Sequence, residues 1–365
     1  MKKVRMGILG MGNMGCQYAK MIVEGKIPGM ELAAVSRIKS DRVEKVREFL
    51  PKDIPVMETM EELFSYKDMD AVLIATPHYA HPQQAIECFQ RGLHVLCEKP
   101  AGVDTKSVRE MNEAADRSGK VFALMFNQRT NLQYQKIREI VQSGKYGELK
   151  RVNLIVTDLY RPLSYYSSGS WRGTWATDGG GLLMNQCPHN LDILQWICGI
   201  PAKVQAICHE GKWHPIEVED EVSAYMEFDN GATGIFVAST GEAPGTNRLE
   251  IILENAKLVC EDRELKIYEL SVNEKEFRFT SRKPFESPKG RWISCDIKAE
   301  ESSYVGILQN FTNAILSEEP LLAKGQEGLN SLLMANAMYL SSWTGKAVNI
   351  PFDEEKFLEE FEKKK

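Results

Sequence analysis

Three groups of residues carry the chemistry this chain could perform. The first, Gly10-Met11-Gly12-Asn13-Met14-Gly15, has the G-x-G-x-x-G spacing of a dinucleotide-binding turn. In such a turn the first glycine permits a sharp reversal, the second lets a pyrophosphate approach the backbone, and the third lets helix and strand pack closely. The helix that follows presents N–H groups and a partial positive charge to the phosphates. The second group is Thr76-Pro77-His78 together with Cys97-Glu98-Lys99-Pro100, each at the end of a strand-like apolar run. Ligands of open α/β sheets sit beyond those strand ends. A lysine buried there beside a nicotinamide can give a proton to an alkoxide or take one from an alcohol. The plainer alternative is a surface Lys99 paired with Glu98. The third group is Trp171-Arg172 followed by Asp178-Gly179-Gly180-Gly181 and Asn185, His189 and Asp192. The last three stand at i, i+4 and i+7, one face of a continuous helix. Pro188 means that the helix either starts there or bends there, and His189 stays with Asp192 in both cases. A histidine oriented by a carboxylate can exchange protons or hold a substrate hydroxyl. The competing reading is a satisfied structural pair.

The choice of dinucleotide turns on the end of the second strand, where Ser36-Arg37 stands with Lys39 and Arg42 close behind. NAD-binding turns usually carry an acid there for the ribose hydroxyls. A hydroxyl and a guanidinium suit a 2′-phosphate better, which favours NADP over NAD. Arg37 stacking on adenine or facing solvent, and Asp41 swinging in to hold the ribose, are the alternatives. No metal is expected. His78, His81 and His94 fall on a loop, a helix and a strand without ligand spacing. His209 and His214 read as exposed residues at strand ends, and no nucleophile elbow is present.

The elements that must position these groups follow from the apolar pattern. Val4–Leu9, Glu31–Ser36, Asp70–Thr76, Leu93–Cys97 and Val121–Phe126 are short apolar runs. Helical spacing separates them, as in Ala80–Arg91 and Thr105–Ser118. That is the pattern of a doubly wound parallel sheet with both faces covered. Beyond residue 126 a helix, Leu132–Ser143, leads into alternating strands: Leu149–Tyr160, Val204–Lys212, Val222–Glu227, Thr233–Thr240, Leu249–Leu253, Leu258–Glu261 and Leu265–Leu270. Asp229-Asn230-Gly231 reads as a tight turn between two of them, so this sheet is mostly antiparallel. Helical spacing returns at Tyr304–Leu316 and Leu329–Trp343. The reading is therefore α/β: a Rossmann domain over 1–126, an α+β substrate and oligomerisation domain over 127–352, and a charged surface helix over 353–365. A length of 365 residues accommodates two domains. The net charge of −6 gives no basic footprint for nucleic acid, and no apolar stretch is long enough to cross a bilayer. Eight scattered cysteines and a start without an apolar leader segment point to reduced thiols in the cytoplasm.

The order of these elements resembles the glucose–fructose oxidoreductase / inositol dehydrogenase (Gfo/Idh/MocA) family. The glycine turn, Glu98-Lys99-Pro100, and the glycine run leading to His189-x-x-Asp192 carry the resemblance, and Glu-Lys-Pro at that spacing is its most specific part. A late Gly345–Pro351 segment looks like the family's last strand. The resemblance implies hydride transfer between NAD(P) and a hydroxyl-bearing carbon of a sugar, inositol or sugar nucleotide, in a cleft between the domains. It makes Lys99 the catalytic proton donor or acceptor and His189 its partner. Asp192 would orient His189, and Asn185, Tyr165 and Asp192 would meet the substrate. Cofactor contacts are implied for Gly10, Gly12, Asn13, Met14, Ser36, Arg37, Thr76, Pro77, His78, His81, Glu98, Lys99 and Gln128, with Trp171 and Arg172 near the nicotinamide end. The open second sheet would join copies into a homodimer or homotetramer. One departure is Asn185, where inositol dehydrogenases of the family carry Asp: an amide cannot relay a proton, so Asn185 is read as binding hydroxyls. The rival functions are a lyase or glycosidase-type enzyme using transient oxidation by a tightly bound NAD(P), and a redox-inactive ligand sensor.

Overall fold

The computed structural model describes residues 2–36, 43–262, 264–295, 297 and 302–365. The N-terminal apolar runs form six strands: β1 (Val4–Leu9), β2 (Met30–Ser36), β3 (Val56–Met57), β4 (Ala71–Ile74), β5 (His94–Cys97) and β6 (Phe122–Leu124). They lie in the order β3-β2-β1-β4-β5-β6, and every pair is parallel. Val4, Met6, Ile8 and Leu9 of β1 are fully buried, as are all four residues of β4. Strands covered on both faces must be apolar throughout, which is why these runs do not alternate. The order of strands reverses beside β1, between β2 and β4, so the strand ends there open the crevice in which such sheets hold ligands. β4 and β6 are shorter than their apolar runs because Ala75-Thr76 and Met125-Phe126 already turn into the functional loops. The helix Thr105–Ser118 is capped at its start by Asp104, whose carboxylate accepts the Ser107 N–H at 2.8 Å, and stops at Gly119 with φ +62°.

The first compact unit comprises Met1–Thr130 together with Ser303–Leu332. The returning stretch, placed by periodicity in the second domain, is bound to the first by specific contacts. Leu124 N–H donates to the Ala323 carbonyl at 3.2 Å. The fully buried Arg129 ion-pairs with Glu327 and donates to the Leu322 carbonyl at 3.1 Å. The rings of Tyr18 and Tyr304 meet edge to face at 5.7 Å. Helical spacing reports a helix over Tyr304–Leu316, observed as Tyr304–Ser317, but not which layer it covers.

The second unit comprises Asn131–Ser302 and Leu333–Lys365. Its strands are β7 (Leu149–Val156), β8 (Lys203–Glu210), β9 (Glu219–Glu227), β10 (Thr233–Ser239), β11 (Asn247–Leu253), β12 (Ala256–Glu261), β13 (Glu264–Leu270), β14 (Gly290–Ser294) and β15 (Val348–Asn349). They form one sheet, β14-β13-β12-β11-β7-β10-β9-β8-β15, antiparallel except for the parallel pair β7–β10. Alternation is clear in β7, where Val152, Leu154 and Val156 are buried between more exposed neighbours. Gly231, with φ +84°, makes the turn between β9 and β10, where the Phe228 N–H donates to the Ala232 carbonyl at 2.9 Å. The strand Gly290–Ser294 and the helix Glu274–Thr280 lacked a usable pattern in the sequence. The last helix, Glu354–Glu362, is not merely a charged surface element. Its Phe357 and Phe361 are buried, and both stack against Trp343. No described helix is long and apolar enough to cross a membrane.

Candidate functional site

In the first unit the site is built mainly from backbone. Gly10 has φ +98°, and a Cβ there would lie 2.6 Å from the Ala75 carbonyl oxygen. A Cβ on Gly15 would collide with the Gly10 carbonyl, so helix Asn13–Val23 can seat on β1 only through a glycine. Gly12 differs from both: nothing lies within 4 Å of where its Cβ would be. That open space, at the start of a helix with no acidic residue in its first turn, fits a pyrophosphate approaching the backbone. Asn13 and Met14 open this helix.

Ser36 does not take the role expected of it. It is fully buried, and its hydroxyl donates to the Thr59 carbonyl at 2.6 Å, so it is not offered to a ribose or phosphate. Arg37, Lys39, Asp41 and Arg42 lie outside the described residues.

The loops after β4 and β5 are tied by His81. Its Nδ1 is 2.8 Å from the Pro100 carbonyl and its Nε2 2.8 Å from the Thr76 carbonyl. Burial pushes its pKa down, and the charge of Lys99 adds to the fall. At 1% exposure His81 holds the two strand ends in register and has no face to offer a cofactor. Thr76 donates its hydroxyl to Gln84 Oε1 at 2.6 Å, Pro77 is exposed, and His78 is buried at the head of a short 3₁₀ turn. Glu98 is buried beneath the loop, where its carboxylate accepts from the Tyr18 hydroxyl and from Lys99 N–H at 3.0 Å. Burial raises the Glu98 pKa, and the Lys99 charge opposes that rise. Lys99 itself is partly buried at the β5 end. After β6, Gln128 has a buried amide oxygen with no hydrogen-bond partner. Such an acceptor can take a donor from an ordered water or a bound group, and a dinucleotide would be able to supply one.

In the second unit the site is a network of side chains. The segment that begins at Arg161 is anchored by backbone bonds: Arg161 N–H donates to the Thr240 carbonyl at 2.9 Å, and its own carbonyl lies 2.8 Å from His214 Nε2. His214 is therefore buried, not exposed as its place near a strand end suggested. Asp220 accepts from its Nδ1 at 2.9 Å and from the N–H groups of Lys212, Trp213 and His214. On this anchored segment the short helix Leu163–Ser167 carries Tyr165. The Arg172 guanidinium lies 4.3 Å over both the Tyr165 and Trp171 rings, and Arg172 donates to the Tyr165 hydroxyl at 2.5 Å. The same hydroxyl accepts from Gln186 Nε2 at 3.2 Å and donates to Asn185 Oδ1 at 3.3 Å. Asn185 in turn donates to the Asp178 carboxylate at 3.0 Å.

The helix containing His189 starts at Pro188 and runs to Cys198, which settles the alternatives that the proline left open. Asn185 lies before it on a five-residue π-helical turn, Leu182–Gln186. Asn185, His189 and Asp192 therefore do not share a face of one continuous helix. His189 is partly buried in the first turn. Asp192 is fully buried and accepts from Gln195 Nε2 at 2.9 Å, so it does not meet a substrate as expected. Three residues of this network went unassigned in the sequence. Asp178 and Gln186 lie in the stretch that was singled out, whereas Glu219 stands far along the chain at the start of β9. Glu219 is fully buried and accepts from Gly181 N–H (3.0 Å), Leu183 N–H (2.8 Å) and the Tyr339 hydroxyl (2.7 Å). Burial raises its pKa to about 7.

Comparison with known proteins agrees with this architecture. Residues 4–126 match the model of an oxidoreductase family with an NAD-binding Rossmann fold, and residues 134–259 match the GFO/IDH/MocA C-terminal domain. The myo-inositol 2-dehydrogenase of Thermotoga maritima is 23% identical over 345 residues, covering 92% of this chain and 95% of its own. The D-glucoside 3-dehydrogenase of Escherichia coli K12 is 25% identical over 301 residues, covering 77% and 79%. Among solved structures, the WlbA dehydrogenase of Chromobacterium violaceum, in complex with NADH and UDP-GlcNAcA, superposes with a TM-score of 0.82. It is 27% identical, with 97% of each chain covered. Both halves of the sequence and both units of the structure thus lead to one conclusion: the chain belongs to the Gfo/Idh/MocA family of NAD-binding oxidoreductases.

Proposed function

We propose that this oxidoreductase transfers hydride between NAD(P) and a hydroxyl-bearing carbon of a sugar, an inositol or a sugar nucleotide. The observation that carries the reading is the place of Lys99. It follows β5 directly on the strand-end side of the sheet where the Gly12 cradle opens, and its neighbour Glu98 is fixed by the Tyr18 hydroxyl and the Lys99 N–H. When bound, the nicotinamide supplies the acceptor or donor of the hydride. Lys99 Nζ takes the proton from the hydroxyl being oxidised and returns it in reduction. His189 hydrogen-bonds the same hydroxyl and shares its proton. Asn185, held by Asp178, and Tyr165, held by Arg172, orient the remaining hydroxyls. An amide accepts and donates without titrating, which suits Asn185 to binding and not to relay. The preference for NADP rests on Arg37, with Lys39 and Arg42 close behind it in the sequence, since the Ser36 hydroxyl is occupied. The enzyme works in the cytoplasm as a homodimer or homotetramer. The solvent face of the nine-stranded sheet supports that assembly: it presents Ile207, Tyr225 and Ile235, with Tyr225 and Ile235 directly paired in register.

A panel of myo-inositol, alkyl glucosides and UDP-linked sugars, each offered with NAD and with NADP, tests the reading by absorbance of the reduced nicotinamide. Reduction with at least one member, faster with NADP, is expected. No absorbance change with any member and either cofactor contradicts it.

A further inference from the structure

The glycine run Gly179-Gly180-Gly181 precedes the substrate-side residues, and its surroundings explain two of the three glycines. A Cβ on Gly181 would collide with the Glu219 backbone carbonyl, and one on Gly180 would collide with the Tyr339 hydroxyl. The chain is therefore pressed against Glu219 and Tyr339 as it enters the π-helical turn Leu182–Gln186. The same two residues are joined to each other, at 2.7 Å, and Glu219 takes the N–H groups of Gly181 and Leu183. Those two N–H groups flank the first residue of the turn. Two residues after Leu183 comes Asn185, then Gln186, and His189 follows in the next helix. Gln186 has a buried amide oxygen without a hydrogen-bond partner, aligned by its bond to Tyr165. Small displacements of this turn would thus move Asn185 and Gln186 directly and would carry into the helix that holds His189.

We infer that Glu219 is a positioning residue of this site: its carboxylate, clamped by Tyr339, fixes the turn Leu182–Gln186 and thereby the placement of Asn185, Gln186 and His189 against substrate. The inference rests on the function proposed above, but its structural half does not. Three donors converge on the carboxylate, so the ionised form holds the turn most firmly, whereas a protonated carboxyl brings a proton of its own and accepts more weakly. The groups facing Glu219 from neighbouring elements are the Tyr339 hydroxyl and the Cys208 thiol of β8, with Asp178 acting on Tyr339. Burial brings the Glu219 titration to about 7, with the Tyr339 hydrogen bond acting to lower it. Turnover should consequently rise with pH through that titration.

Two substitutions test this, Glu219→Gln and Tyr339→Phe, with two readouts. Hydrogen exchange of the segment 179–189 needs no substrate: in Glu219→Gln it should accelerate about tenfold while the Rossmann segments stay protected. Turnover of the substrate found with the panel above should fall in kcat by about tenfold or more in Glu219→Gln, with KM moving less. The limb near pH 7 should disappear from its kcat profile. Tyr339→Phe removes a donor that favours the carboxylate, so its limb should shift to higher pH, an effect that a merely structural role would not produce. Unchanged exchange over 179–189 in both variants overturns the inference whatever turnover shows. Unchanged kcat profiles in variants of an active parent also overturn it. A parent that turns over nothing on the panel, with exchange accelerated as expected, removes the proposed function and leaves the clamp.

Discussion

The two units of this protein build their polar sites by different means. In the first, the cradle is a shape of the main chain. Gly10 and Gly15 are glycines because carbonyl oxygens occupy the space of a side chain, and Gly12 is a glycine beside open space. In the second, the site is a chain of side-chain hydrogen bonds running from Arg172 through Tyr165 and Asn185 to Asp178, with Glu219 supporting the turn from a distant strand. A site made of backbone leaves a compact trace in the sequence, because steric demands fall on adjacent residues. A site made of side chains gathers residues far apart in sequence, and only the fold reveals which of them meet.

That contrast can be broken or sharpened by substitution. The largest effect is expected from Lys99→Met, which removes the proposed proton carrier. Steady-state kcat should fall by about 10²–10⁴-fold, the usual weight of general acid–base catalysis, while fluorescence titration shows cofactor binding retained. Next is a pair in the glycine turn. Gly12→Val places a side chain in the open cradle and should weaken cofactor binding about tenfold or more at unchanged melting temperature. Gly15→Val collides with the Gly10 carbonyl and should lower the melting temperature itself. Equal effects of the two would erase the distinction drawn between them. In the side-chain network, Tyr165→Phe removes the hydroxyl shared by Arg172, Gln186 and Asn185. Its three partners are half-buried, so the loss should lie at the lower end of the about 1–3 kcal/mol for unsatisfied buried groups; the substrate KM should rise by up to roughly tenfold, with cofactor affinity unmoved.

The smallest effect is a pair of opposite pH dependences in stability. The folded-state pKa of His94 is pushed down to about 4, chiefly by burial, and its Nδ1 accepts the Val121 N–H at 2.9 Å. A depressed histidine pKa means that protonation is disfavoured in the fold, so its contribution is present above pH 6.5 and lost as pH falls toward 4. Glu219 is raised to about 7, so its contribution is present below pH 4.5 and lost as pH rises through 7. His94→Gln should flatten the acid-side fall in melting temperature by a degree or two, and Glu219→Gln should flatten the neutral-side fall.

Much of the first unit was legible in the sequence. Five of its six strands follow the apolar runs, and only the two-residue β3 gives no pattern. Ser36 shows the limit of such reading: its residue type suits a phosphate, but the inward side of the last β2 residue delivers its hydroxyl to Thr59. Along the second unit, alternation gave the strands, whereas Pro188 left two helix starts open because a proline fits the first turn as well as a kink. The π-helical turn before it shifted Asn185 off the expected face, since helical spacing assumes an unbroken register. The return of Ser303–Leu332 to the first unit has no local signature, because Arg129 finds Glu327 only in the folded chain. Glu219 was unreadable for the same reason: a glutamate at the start of a strand resembles any surface acid until its three donors are seen.

The central claim is that Lys99 and His189 manage the proton of one substrate hydroxyl, and a double-mutant cycle tests it most directly. Groups acting as a unit lose their contribution together, so the combined variant is hardly slower than the worse single one. With Lys99→Met, His189→Asn and the combination measured in single turnover of reduced-nicotinamide formation, the double variant should lie within about threefold of the slower single variant. Rate losses that multiply, each variant slowing the other's background by its full factor, would show two independent roles and contradict the account.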